Sequence, residues 1–269
     1  MKALKEMTDI EMEHLVWIHS NKFTTPELFY KKFLPNQTSR NAYKILKKYT
    51  SPERDLLHVL KTPIGNSNLF FLTAGALRTL DENNKILVRS NKYPVKINTH
   101  EKEHDVMVQT IRITFESLEE LKDIFWVSDF EMRSGITPSI KAEYLEGKLN
   151  KERWRSNGAN PNPRGRRTPD GYFEADIEGR RVAFALELEN HHYNDVILQR
   201  MTENLKGGFP RALKLIVSAT PGNAVRMIRS LQTRIKPDEQ PQWFVSDFER
   251  VTTKPFKKCW HQLNQPLAD

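Results

Sequence analysis

The chain has 269 residues, 38% hydrophobic and 28% charged, with a mean hydropathy of -0.64, which excludes a disordered chain and allows one large or two ordinary domains. No apolar stretch approaches the roughly 20 residues that cross a bilayer, and a single cysteine, Cys259, excludes an internal disulfide and any multi-cysteine zinc site. Its start, Met1-Lys2-Ala3-Leu4-Lys5-Glu6, has no signal-peptide core, so a cytoplasmic protein without a membrane partner is expected.

The formal charge is +8 and it is unevenly placed: residues 1–100 hold 16 Lys/Arg against 9 Asp/Glu. Localised positive charge is the footprint of a phosphate-binding surface, because neutralising phosphates releases condensed counterions. The other reading is an ordinary basic protein.

In chain order, Asp9 to His19 reads as a short helix with Ile10, Leu15, Val16 and Ile18 on its buried side. Thr24-Thr25-Pro26-Glu27 starts a second helix, with threonine as cap and proline at the first helical position. It carries Leu28, Phe29 and Phe33 and stops at Pro35. A third begins near Thr38-Ser39, with Ala42, Tyr43, Ile45, Leu46 and Tyr49 in helical spacing. Its remaining positions, Ser39, Arg40, Lys44, Lys47 and Lys48, form a polar, basic face. Leu56 to Leu60 reads as a strand, Pro63 to Asn68 as a turn, and Leu69 to Leu72 as a returning strand. Thr73 caps a helix through Ala74, Leu77 and Leu80. Three short helices followed by a hairpin is the order of a winged helix, whose third helix enters the DNA major groove while the hairpin touches the backbone. A small helical protein-interaction module is the alternative.

Residues from about Lys85 to Glu120 read as a connection with a strand or helix through Phe115, and Leu121 to Phe130 as buried structure. Lys141 to Arg155 is polar and partly helical. Asn157 to Arg167 is a loop in which Arg164, Arg166 and Arg167 are placed to grip phosphates. Trp154, in basic polar surroundings, is a candidate base-stacking platform.

The second half contains the pattern that suggests chemistry. Thr168-Pro169-Asp170-Gly171-Tyr172-Phe173 leads to a hairpin turn within Ile177 to Arg181, then to the apolar strand Val182 to Glu189. In a strand, residues two apart share a face, so Glu187 and Glu189 point the same way. If Asp170 starts the partner strand, its carboxylate lies beside them. Three converging carboxylates repel unless a divalent cation sits between them, and oxygen ligands suit Mg2+ or Mn2+. Such an ion activates water and stabilises a phosphodiester transition state. A pair of solvated edge acids is the bland alternative. A helix from Asn194-Asp195, a strand Lys214 to Ser218 and a helix Val225 to Leu231 complete an α/β core.

Asp170 followed by a strand bearing Glu187-Leu188-Glu189 resembles the PD-(D/E)XK nuclease superfamily, with Glu189 where lysine is usual. The resemblance implies Asp170 and Glu187 as metal ligands and Glu189 as a third ligand or water-orienting base. It leaves Lys206, Lys214 or no lysine to complete the site, and Glu131 or Glu152 as a fourth acid. A resemblance over most of the chain is to plasmid replication-relaxation proteins and MobC-type mobilisation relaxases. It is carried by Leu69 to Leu77, His104-Asp105, Trp126-Val127-Ser128-Asp129-Phe130-Glu131, Pro169-Asp170-Gly171-Tyr172 and Glu187-Leu188-Glu189. It implies a winged-helix domain over residues 1–98 and a restriction-endonuclease-like domain with a mixed sheet over 99–269. The implied activity is nicking or binding of a plasmid transfer or replication origin, with relaxosome accessory or coupling proteins as partners. A non-catalytic DNA-binding protein and a restriction-type endonuclease cutting both strands are the alternatives.

Two local patterns remain open. His104-Asp105 is either a general base with its orienting acid or a structural hydrogen bond. His191-His192 is either a metal-holding pair with Tyr193 as nucleophile, although adjacent strand residues face opposite ways, or a polar strand end; Tyr193 could also stack on a base.

Overall fold

A computed structural model describes residues 7–61, 68–87, 99–156, 168–189 and 195–267. The chain is a mixed α/β protein that divides into two compact units, residues 1–106 with 142–159, and residues 107–141 with 160–269. The expected domain border at 98 and 99 falls at the edge of residues outside the description.

The first unit opens with helices α1 (Asp9–Ser20), α2 (Pro26–Phe33) and α3 (Ser39–Tyr49). Thr8 and Glu11 form a reciprocal capping box on α1, and Thr25 caps α2 ahead of Pro26. The box turns Glu11 inward, where it also meets Arg54, and leaves Ile10 65% exposed rather than buried. His14 and Trp17 occupy the buried side with Leu15 and Ile18.

Strands β1 (Leu57–Leu60) and β2 (Leu69–Leu72) pair antiparallel, with Leu57 opposite Leu72 and Leu60 opposite Leu69. The turn expected between them lies mostly outside the described residues. Thr24 adds a bridge to Phe70 on the far side of β2, through backbone bonds of 2.8 and 2.9 Å. Thr73 then caps α4 (Ala74–Glu82).

The long connection expected after residue 85 contains one 19-residue helix, α5 (Thr99–Ser117), which spans the division between the units. Ile111 and Phe115, four residues apart, are fully buried in the second unit and fix the helical choice. Strand β3 (Lys122–Ser128) runs into the short helix α6 (Asp129–Arg133). The polar segment that follows holds α7 (Pro138–Leu145) and α8 (Lys151–Ser156). Lys151 and Arg155 of α8 both engage the buried Asp81 of α4.

The second unit is built on a six-stranded mixed sheet. Its remaining elements are β4 (Gly171–Ile177), β5 (Arg180–Glu189), α9 (Asp195–Gly208), β6 (Leu213–Ser218), α10 (Pro221–Arg234), β7 (Trp243–Asp247), α11 (Phe248–Thr253) and β8 (His261–Gln262). The strands lie in the order β3-β4-β5-β6-β7-β8. The β5–β6 and β6–β7 pairs are parallel and the others antiparallel. Glu178 (φ 51°) and Gly179 (φ 77°) form the two-residue β4–β5 turn, the positive-φ geometry that matches strand twist.

Each sheet face has its own core. Ala185, Ile216 and Val245 face α9 and α10 through Leu198, Met201, Met227 and Leu231. Phe173, Phe184, Leu186, Leu188 and Val217 face the other way, against Phe115 of α5 and Val251 of α11. On that second face Trp126, Phe173 and Phe184 sit in register on β3, β4 and β5. Their rings stack at 5.2 and 4.7 Å with interplanar angles of 8° and 16°. No described helix is long and apolar enough to cross a membrane.

Candidate functional site

The first unit presents its basic helix to solvent. In α3, Ala42, Leu46 and Tyr49 are buried, whereas Ser39, Arg40, Lys44, Lys47 and Lys48 are exposed. Tyr43, expected on the apolar side, is 38% exposed at the border, its ring edge-on to Phe70 at 6.3 Å. Among the described residues no acid pairs with any of the four cations. Among the described residues the face is therefore a cationic surface not neutralised by ion pairs, the kind of surface that attracts a polyanion.

In the second unit the pleat decides where the acids go. Ala185 belongs to the α9/α10 face, so Glu187 and Glu189, two and four residues on, share it. Gly171 pairs with Leu186, which puts Asp170, one residue earlier, across from Glu187 on the same face. All three carboxylates are buried, at 8%, 2% and 9% exposure for Asp170, Glu187 and Glu189. One oxygen of Asp170 accepts the Leu188 amide at 2.8 Å, tying the start of β4 to β5 between the two glutamates. The parallel neighbour β6 ends level with them, Ile216 opposite Glu187 and Ser218 opposite Glu189.

A fourth acid joins this row, and it is Asp129. Ser128 pairs with Gly171 and the Asp129 amide donates to the Asp170 carbonyl at 3.3 Å, so β3 extends the same register. The Asp129 carboxylate accepts from Thr168 Oγ1 and Arg133 Nε, both at 2.6 Å. The two candidates for a fourth acid in the sequence, Glu131 or Glu152, lie elsewhere. Glu131 instead caps α6 through Ser128 and forms an ion pair with Lys141 at 2.6 Å. Burial would raise the Glu131 carboxyl, but the Lys141 ammonium, helped by the Ser128 amide and Arg112, holds it below the ordinary carboxylate range. Glu152 is exposed on α8.

Neither named lysine completes the carboxylate row. Lys206 pairs with Glu239 at 2.5 Å. Lys214 shares the face but lies opposite Ala185, and its ammonium donates to the Pro210 carbonyl and to Gln242. Among the described residues, no three His, Cys, Asp or Glu side chains are gathered as a ready metal-holding set. The donors at Asp170 and Glu187 are oxygens, the type that suits Mg2+ or Mn2+, and such ions are held by as few as one or two carboxylates with water and substrate phosphate.

The other motifs fall elsewhere. Asp105, on α5 in the first unit, pairs with Lys22 at 3.2 Å and lies 3.7 Å from His104 Nδ1. Burial would raise its carboxyl, but His104 and Lys22 hold it low. That is the pattern of a structural ion pair tethering α5. Arg164, Arg166 and Arg167, and His191, His192 and Tyr193, lie outside the described residues. Comparison with protein-family models, curated proteins and solved structures finds no match to this chain.

Proposed function

We propose that this protein binds DNA through the exposed face of α3 and nicks one strand at a plasmid transfer or replication origin. The α4-preceding hairpin β1–β2 and helices α1 to α3 are read as a winged helix, and the sheet unit as a nuclease-like core. Asp170 and Glu187 would hold Mg2+ or Mn2+, with Glu189 as a third ligand or water-orienting base. The ion would supply an activated water and charge stabilisation at the scissile phosphate. The observation that carries the reading is the register that sets Asp170 across from Glu187 with Glu189 on the same buried face.

The test is incubation of the full chain with supercoiled origin plasmid and Mg2+ or Mn2+. Open-circle product is expected, and Asp170→Ala should lose it by two or more orders of magnitude while DNA binding persists. Linear product would point instead to a double-strand endonuclease. A mobility shift with no cleavage under any divalent ion overturns the enzymatic reading.

A second reading keeps DNA binding and drops cleavage. It is favoured by the Asp170 bond to the Leu188 amide, which extends the β4–β5 ladder past its last backbone pair, and by the two lysines being engaged elsewhere. In it the protein is a non-catalytic component of origin control, and Lys44→Ala with Lys47→Ala would remove its main activity.

A further inference from the structure

The charge asymmetry of residues 1–100 conceals a second one. From Asn204 to Pro237 the chain has no Asp or Glu, yet it holds Lys206, Arg211, Lys214, Arg226, Arg229, Arg234 and Lys236. Acids are 34 of the 269 residues, so a stretch of this length would hold about four at average composition. The fold then sorts these cations. Lys206 is neutralised by Glu239 and Lys214 is buried among backbone and amide acceptors. The rest are exposed, and three of them lie on α10.

Helix α10 is sharply two-sided. Ala224, Met227, Ile228 and Leu231 pack on the sheet. Val225, Arg226, Arg229, Thr233 and Arg234 face water. Among the described residues neither Arg226 nor Arg229 pairs with an acid. At 1.5 Å per residue, Arg226 to Arg234 covers about 12 Å. That matches three to four phosphates of one strand at about 3.4 Å each along the duplex axis. The helix starts just after Ser218, the residue level with Glu189, so its first turns lie at the carboxylate end of the sheet.

We propose that the outer face of α10 is a second DNA-backbone track, with Arg226 and Arg229 as phosphate contacts leading to the carboxylate row. It rests on the DNA-binding reading above, not on cleavage. An acidic protein is the rival occupant, but a protein interface is built around an apolar or aromatic centre. This face offers Val225 alone, whereas polar, positively charged surface is what a DNA interface uses.

The experiment measures anisotropy of the full chain on a short fluorescent duplex in EDTA, across a range of NaCl. Arg226→Gln/Arg229→Gln should reduce the slope of log Kd against log salt by about two, on any sequence, with circular dichroism and melting unchanged. Arg226→Lys/Arg229→Lys should restore most of it. An unchanged slope in the folded glutamine variant overturns the proposal. So does polyglutamate binding as tightly as DNA and being lost in the same variant, since that identifies an acidic protein partner. A reduced slope on a plasmid that is never nicked supports the track and removes the cleavage reading. Nicking that Asp170→Ala abolishes, with a slope that Arg226 and Arg229 do not move, does the reverse.

Discussion

Gly171 follows Asp170 for a reason of packing. A Cβ at Gly171 would lie 2.4 Å from Cζ2 of Trp126, whose indole is stacked on Phe173 and cannot swing aside cheaply. Gly171→Ala should therefore cost about 1–3 kcal/mol, the range for overpacking a tight site, read as a lower urea midpoint. Trp126→Leu should recover part of that loss in a double-mutant cycle, and strict additivity would contradict the contact. In the first unit, His14 is buried with Nδ1 2.8 Å from Tyr49 Oη and the Phe33 ring 4.5 Å away. Burial lowers its pKa below the ordinary 6.5, outweighing the nearby Glu13 and Glu11. The unfolded chain then binds the extra proton, so this contribution is full above about pH 6.5 and is lost as pH falls below it. Unfolding free energies at pH 8 and pH 5 should show wild type losing more than His14→Leu on acidification; equal losses would refute the assignment.

At the scale of elements, the edge strand β3 is held by a buried ion pair. Lys141 of α7 donates to the Trp126 carbonyl at 2.7 Å and meets Glu131 of α6, with both side chains under one fifth exposed. Lys141→Met leaves a buried carboxylate uncompensated and should cost about 3–5 kcal/mol, while adding Glu131→Gln should recover most of it. Urea unfolding of the two variants decides this. The elements differ in how readable they are. Caps at Thr25 and Thr73 and the Glu178-Gly179 turn are local, so α2, α4 and the β4–β5 hairpin are legible from neighbouring residues. Helix α5 is less so, because its polar amino-terminal half obscures the spacing of Ile111 and Phe115. Strand β7 is flanked by parallel β6 on one side and covered on both faces, so no alternation marks it. Asp129 is invisible locally; only the pairing of β3 with β4, across some forty residues, brings it level with Asp170.

For the whole molecule, two cationic faces bracket the question of function, one on α3 and one on α10. The first is legible because the sum over residues 1–100 is lopsided. The second is hidden in any domain-wide sum, since acids elsewhere in the second unit cancel it; only the run without Asp or Glu exposes it. The shared face of Asp170, Glu187 and Glu189 is legible from the strand pattern, whereas the positions of Lys206 and Lys214 need the fold, because Lys214 neighbours the right strand but is aimed at its opposite end.

The stacked rings of Trp126, Phe173 and Phe184 bear on how this row of acids can come about. They occupy β3, which runs into Asp129, β4, which Asp170 immediately precedes, and β5, which carries Glu187 on its other face. A strand has only two sides, and a slip of one residue would drive the glutamates into the aromatic layer while turning Phe184 toward α9 and α10. No continuous path of small adjustments joins the two arrangements. Glu187 and Glu189 are thus placed by one choice of register, and a β5 that has closed its aromatic layer has already committed its opposite face.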